Sequence, residues 1–228
     1  VDLNRSEGNP ALYFKAVRNQ PVGIRREILA LHYDPYRRRA EALVREAIAR
    51  QGSVIHLSSH SFTPELDGEV RSADIGLLYD PRRPGEGALC ARWKVQLKAL
   101  APGLTVRRNY PYAGKGDGLT SWFRKRLPAD AYVGVELEIN QKHVFEGGRQ
   151  WAGLRQVIVE SLRLALRDAR PLGVGDHLAD VVHAGVAGSV DFQQIDEAAR
   201  VDVAAGIARA ARMRGDAALP VRDRKSVV

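Results

Sequence analysis

The sequence predicts a three-layer α/β domain, and three patterns predict it. Apolar residues recur at helical spacing through Tyr36, Ala40, Leu43, Val44, Ala47 and Ile48. The stretch Tyr132–Asn140 alternates strictly, with Val133, Val135, Leu137 and Ile139 pointing one way and Gly134, Glu136, Glu138 and Asn140 the other. Strands alternate with helices along the chain, the order that builds a sheet covered by helices.

The elements follow in order. The first clear helix starts near Asp34-Pro35, where Asp suits the N-cap and Pro the first turn, and stops at Gln51-Gly52. A strand is expected at Ser53–Leu57 and a second at Asp74–Tyr79, followed by the turn-rich loop Asp80–Gly85. Trp93, Leu97 and Leu100 mark a helix ended by Pro102-Gly103, and Leu104–Arg107 reads as a short strand. After Tyr132–Asn140, a helix runs from Trp151 to about Arg170 on Leu154, Val157, Ile158, Leu162 and Leu166. Pro171–Gly175 reads as a linker, and an Ala/Arg-rich, partly helical tail covers 171–222, with a helix over Asp196–Arg212. The domain itself is expected at 1–170. The last six residues, Asp223-Arg-Lys-Ser-Val-Val228, are one reading of GATCGGAAGAGCGTCGTG, a common sequencing-adapter fragment, so 223–228 is expected to be adapter translation.

Composition excludes several classes. With 228 residues and 45% hydrophobic content, the chain can bury a sizeable core. It has no apolar run long enough to span a membrane. Its start, Val-Asp-Leu-Asn-Arg, has neither an initiator Met nor a secretory signal. The single cysteine, Cys90, cannot close an internal disulfide, which fits a reducing, cytoplasmic setting. A cysteine-based zinc site is excluded with it. The net charge of +8 invites a nucleic-acid reading. The arginines are spread over helix faces (Arg37-Arg38-Arg39, Arg45, Arg50), and no recognition motif with interleaved aromatics accompanies them. A solvated basic surface, or attraction of small anionic substrates, accounts for the charge without nucleic acid.

Two places carry chemistry. His56-Leu-Ser-Ser-His60-Ser-Phe-Thr-Pro64 runs from the strand into a loop and a turn. An imidazole beyond a strand end suits a metal ligand or a general base, whereas the bland alternative is a loop-capping histidine. Glu136 and Glu138 share one face of a strand. That face is either the wet side of an edge strand or a rigid mount for a general base.

Six segments in order, Val1-Asp-Leu-Asn4-Arg5, Tyr33-Asp-Pro-Tyr-Arg37, His60-Ser-Phe-Thr-Pro64, Arg71-Ser-Ala-Asp74-Ile-Gly76, Asn109-Tyr-Pro-Tyr112 and Glu136-Leu-Glu138-Ile-Asn-Gln141, spell a family. The chain resembles the N-formylglutamate amidohydrolases, within the wider zinc carboxypeptidase and aspartoacylase-like group, from Val1 to about Leu166. The resemblance implies a mixed sheet flanked by helices and a metal-dependent hydrolase of the amide bond in an N-formylglutamate-like amino acid. It implies zinc, held by a His-x-x-Glu-type pair and a later histidine, which His60 matches. Zinc with three protein ligands lowers the pKa of its bound water to roughly 7. Glu138 matches the carboxylate that takes the proton from water and passes it to the leaving nitrogen, with Glu136 as the fallback.

By the same resemblance, Asn4 and Arg5 bind the carboxylate of a small anionic N-acyl amino acid, a task the planar guanidinium fork suits. For Arg5 the alternative is an ordinary surface residue. Arg71 is a second candidate anion clamp, or else an ion pair with Glu69 or Asp74. Tyr112 is a candidate donor to the developing oxyanion, or else a buried tyrosine in a proline turn. The family's paired metal ligands are expected upstream of Val1, because His32 and His56 lack partners and His177 and His183 lie beyond the matched region. The runner-up function is a non-catalytic α/β binding protein that keeps a carboxylate pocket without metal. The amino acid and acyl specificity and the oligomeric state are not readable from the sequence.

Overall fold

The computed structural model describes residues 1–167 and the backbone of 180–185. The expected domain limits near 170 and 222, the 223–228 segment and the helix over Asp196–Arg212 lie outside those residues.

Five strands form the central sheet: β1 (Val54–Phe62), β4 (Ile75–Leu78), β5 (Val106–Arg108), β6 (Tyr132–Asn140) and β7 (Asp180–Gly185), in the order β5-β4-β6-β1-β7. The sheet is mixed. β1 runs parallel to β6 and β7, and β4 parallel to β5, while β4 and β6 are antiparallel. A small hairpin, β2 (Glu65–Leu66) and β3 (Glu69–Val70), lies apart from it.

The alternation along β6 decides what each face meets. Val135, Leu137 and Ile139 join Ile75, Leu77 and Leu57 in a core closed by α4 (Pro84–Leu100) and α7 (Gly148–Arg167) through Leu89, Trp93, Leu97, Leu154 and Ile158. Trp93, with no exposed surface, still donates its Nε1–H to Ser161 Oγ at 2.9 Å, so burial leaves its one polar atom satisfied. On the opposite face, Val54 and Tyr132 pack with Ala40, Leu43, Val44 and Ala47 of α3 (Asp34–Gln51) and with Leu119 and Phe123 of α5 (Leu119–Arg124). Even-numbered residues of β1 and β6 point to this second face, which therefore receives His60, Glu136 and Glu138.

Several expectations change. β1 does not stop at Leu57 but continues to Phe62, so His60 stands on a strand rather than in a loop. β6 is no edge strand: it pairs with β1 on one side and β4 on the other. Asp34 is not an N-cap, because α2 (Val22–Ile28) passes through a π-helical turn, Leu29–Tyr33, directly into α3. At the other end the reading holds, with Gly52 in the left-handed conformation at φ 79°. α1 (Lys15–Arg18) and α6 (Lys142–Glu146) complete the described helices. None is long and apolar enough to cross a membrane.

Candidate active site

The site forms toward the carboxyl ends of the parallel neighbours β1 and β6, where α/β sheets place their ligands. The register sets His60 directly opposite Glu138 and Ser58 opposite Glu136. His60 Nε2 lies 2.8 Å from Ser58 Oγ. Burial lowers the imidazole's pKa, opposed by the nearby charges of Glu136 and Asp2. The neutral ring that results is the form that binds metal or accepts a proton.

Glu138 is 5% exposed, and among the described residues its Oε2 has no hydrogen-bond partner. Desolvation, reinforced by the Glu136 charge, pushes its carboxyl up to about 8, with Arg71 pulling the other way. Glu136 is anchored differently: Thr120 of α5 donates its hydroxyl to Oε1. Two carboxyls on one strand face thus sit in unlike surroundings, the arrangement that separates acid and base roles.

The N-terminal residues close one side. Asn4 Oδ1 accepts from Leu119 N at 2.8 Å, and Asn4 N donates to Asp2 Oδ1 at 3.0 Å. A Cβ at Gly118 would sit 3.0 Å from Glu136 Oε1 and 3.2 Å from Asn4 Nδ2, so glycine lets the amide and the carboxylate converge. Arg5 pairs through Nε with Asp2 Oδ2 at 3.2 Å while staying partly exposed. Asp2 therefore links Arg5 to the surroundings of His60.

Arg71 and Tyr112 close another side. Arg71 Nη1 donates to Tyr112 Oη at 3.0 Å, and its guanidinium lies 5.2 Å from the Tyr112 ring centre and 5.9 Å from that of Phe62. Arg71 is not the ion-pair partner of Asp74, whose carboxylate instead meets Lys142 Nζ at 2.6 Å, His143 Nε2 at 2.9 Å and Thr105 N at 2.6 Å. Tyr112 is not a buried turn residue: it is 47% exposed. The loop bearing it is pinned to β4. Asn109 Oδ1 accepts from Tyr79 N at 3.0 Å and Gly114 N at 3.2 Å, and a Cβ at Gly76 would run into the Tyr110 carbonyl.

His60, Glu136, Glu138, Asn4, Arg5 and Arg71 are thus linked through contacts or mutual charge effects, and Tyr112 joins through Arg71. Sequence reasoning missed Asp2, Ser58, Gly118 and Thr120. Asp2 was readable from its place two residues before Asn4. Thr120 was not, because only the fold brings α5 over β6. His56, without a metal-ligand partner in the sequence, is fully buried in the core with its Nδ1 2.6 Å from Tyr132 Oη.

Over residues 1–145 the sequence matches the family described as N-formylglutamate amidohydrolase. The chain belongs to the N-formylglutamate amidohydrolase family. Among solved structures it is similar to a gene product of Agrobacterium tumefaciens, at 27% identity and a TM-score of 0.53. That likeness covers 67% of this chain and 57% of the other, so the chain spans little more than half of that protein's length. No curated protein matches it.

Zinc, the metal that the resemblance implies, is not fitted by the described residues alone. His60 offers one imidazole of suitable protonation, but among the described residues no three His, Cys, Asp or Glu side chains group to hold an ion.

Proposed function

We propose that the protein hydrolyses the amide bond of an N-acyl amino acid resembling N-formylglutamate, with Glu138 as the proton carrier. The observation that carries this is Glu138 itself. In a chain of this family, a buried carboxyl with an unpartnered oxygen stands opposite His60 and is shifted to about 8.

Arg5 and Asn4 hold the substrate's carboxylate from one side, and the half-buried fork of Arg71 offers a second clamp. The scissile carbonyl then lies over the β1–β6 ends. Water adds to the carbonyl carbon, the C–N bond breaks, and the acyl group leaves as the acid while nitrogen leaves as the amine. Glu138 supplies the proton that the departing nitrogen needs. At neutral pH burial favours its protonated form, so it is primed to donate. To take a proton from water first it must ionise, which a positive charge beside it favours. Tyr112 is placed to donate to the oxygen that becomes negative. No step is assigned to zinc. His60 as one of its ligands, with the others from residues beyond those described, is part of the proposal, as is a cytoplasmic setting.

The test is formate release from N-formylglutamate, with and without added zinc, by wild type and by His60→Ala. Turnover that needs metal and His60 supports the reading. Binding without turnover points to the non-catalytic alternative. Turnover indifferent to both chelation and His60→Ala removes the metal-dependent mechanism.

A further inference from the structure

The motif Tyr33-Asp-Pro-Tyr-Arg37 has no role in the chemistry above, yet two of its side chains reach the site's N-terminal wall. Residues 1–14 form no helix or strand, so the carbonyls of residues 3–5 lack the partners that a ladder supplies. All three are met by side chains from the end of the π-helical turn and the start of α3. Tyr33 Oη donates to Arg5 O at 2.7 Å, and Arg37 Nη1 is shared between Leu3 O and Asn4 O at 3.4 Å each.

Both donors are fixed in place. Tyr33 is 3% exposed. The Arg37 guanidinium lies 5.3 Å from the ring centres of Tyr33 and of Trp122, and no carboxylate ion pair competes for it among the described residues. The π-helical turn ending at Tyr33 widens the helix just before these residues, a feature often found at functional sites. The wall is held elsewhere too, since Asp117 Oδ2 accepts from Ser6 N at 3.1 Å and Asn9 Nδ2 at 2.6 Å. Asp2, itself in the wall, takes the Asn4 and Arg5 N–H groups, whereas Tyr33 and Arg37 tie the Asn4 and Arg5 carbonyls to the helical layer.

We infer that Tyr33 and Arg37 are positioning residues for substrate recognition: they hold the Asn4–Arg5 backbone so that the side chains meet the substrate's carboxylate. This rests on the substrate-binding role proposed for Asn4 and Arg5. Neither residue touches substrate, so their loss should weaken recognition of the carboxylate and leave proton transfer at Glu138 intact.

The experiment compares wild type, Tyr33→Phe, Arg37→Lys and Arg37→Met in the full chain. The substrates are N-formylglutamate and its uncharged diamide. Tyr33→Phe removes one hydroxyl and keeps the ring beneath Arg37, so it tests the bond with little risk to folding. The expected result is a KM for N-formylglutamate raised about three- to tenfold, as one lost hydrogen bond implies, with kcat within about twofold. The diamide should respond to none of the variants, and Arg37→Lys should recover part of what Arg37→Met loses. A fall in kcat at constant KM, or equal losses on both substrates, overturns the inference. If wild type binds N-formylglutamate without hydrolysing it, the hydrolase reading fails alone, and calorimetric affinities decide: an unchanged Kd in Tyr33→Phe overturns the inference. If wild type neither binds nor hydrolyses it, both are overturned.

Discussion

Glu86 and Glu138 are both buried carboxyls, and the fold treats them in opposite ways. Glu86, with no exposed surface, sits in the first turn of α4 and accepts from Asp80 N at 2.8 Å, Arg124 Nε at 2.9 Å and Gly134 N at 3.2 Å. Arg124 in turn donates to the carbonyls of Gly114 and Gly134, so one ion pair ties α4, α5, β6 and the loop before α5 together. Glu138 lies four residues along the same strand from Gly134, and its Oε2 has no hydrogen-bond partner among the described residues. A buried polar group without a partner costs free energy, and proteins keep such groups mainly where a ligand or a reaction completes them. One carboxyl is bound into the fold; the other is left open for the chemistry proposed above.

The largest effect expected from this contrast is on turnover. Glu138→Gln keeps shape and volume but cannot carry a proton. It should cut kcat for N-formylglutamate by about 10²–10⁴-fold, the usual worth of a general acid or base, with no loss of thermal stability. Unaltered kcat would move Glu138 to the structural side and leave Glu136 as the candidate.

Glu86→Gln should do the reverse. It leaves the Arg124 guanidinium, 6% exposed, buried without its counter-charge. Breaking one half of a buried pair costs about 3–5 kcal/mol, readable as a shift of the urea midpoint at constant m-value. A loss below about 1 kcal/mol would mean that the Arg124 bonds to carbonyls suffice, and the cohesive role of Glu86 would be lost.

This contrast was only half legible in the sequence. The alternation of β6 placed Glu136 and Glu138 on one face from the residues alone, because side chains of a strand must alternate. What that face would meet depended on β1 continuing to Phe62 and on α5 folding over it, which are tertiary facts. The polar run Ser58-Ser-His-Ser61 looked like a loop because local propensity disfavours a strand there. Pairing with β6 on one side and β7 on the other overrides it at residues 58 and 59. Glu86 gave no signal: in a turn-rich stretch it reads as an ordinary first-turn acid, and its partner Arg124 is 38 residues away.

The two carboxyls can also be separated by pH. Folding holds the Glu138 carboxyl at about 8, above its ordinary value, so the fold prefers it protonated. That contribution is complete below the ordinary carboxyl range and is lost as pH rises through about 8. Measured with chelator present, wild type and Glu138→Gln should have similar stability near pH 4. By pH 9 the variant should be the more stable by a few kcal/mol, since each pH unit between the two values is worth about 1.4 kcal/mol. Parallel stability curves from pH 4 to 9 would show that Glu138 ionises freely, and the distinction from Glu86 would fail.

The smallest effect belongs to Glu136, which stands between the two extremes. It is half-buried and has one anchoring donor, Thr120, which itself has no exposed surface. Thr120→Val keeps the shape and removes only the hydroxyl, so stability should fall by about 1 kcal/mol, the net worth of one hydrogen bond. The informative readout is activity. Glu136 raises the Glu138 carboxyl through its charge and also acts on His60, and a carboxylate released from Thr120 can turn away from both. That change weakens the charge felt by Glu138 and should move the alkaline limb of the kcat–pH profile, where Glu138 loses the proton it donates, to lower pH. If that limb stays fixed while stability falls, Thr120 anchors α5 to β6 and Glu136 belongs with Glu86. If it moves, the strand carries a working pair, with Glu136 tuning the group that transfers the proton.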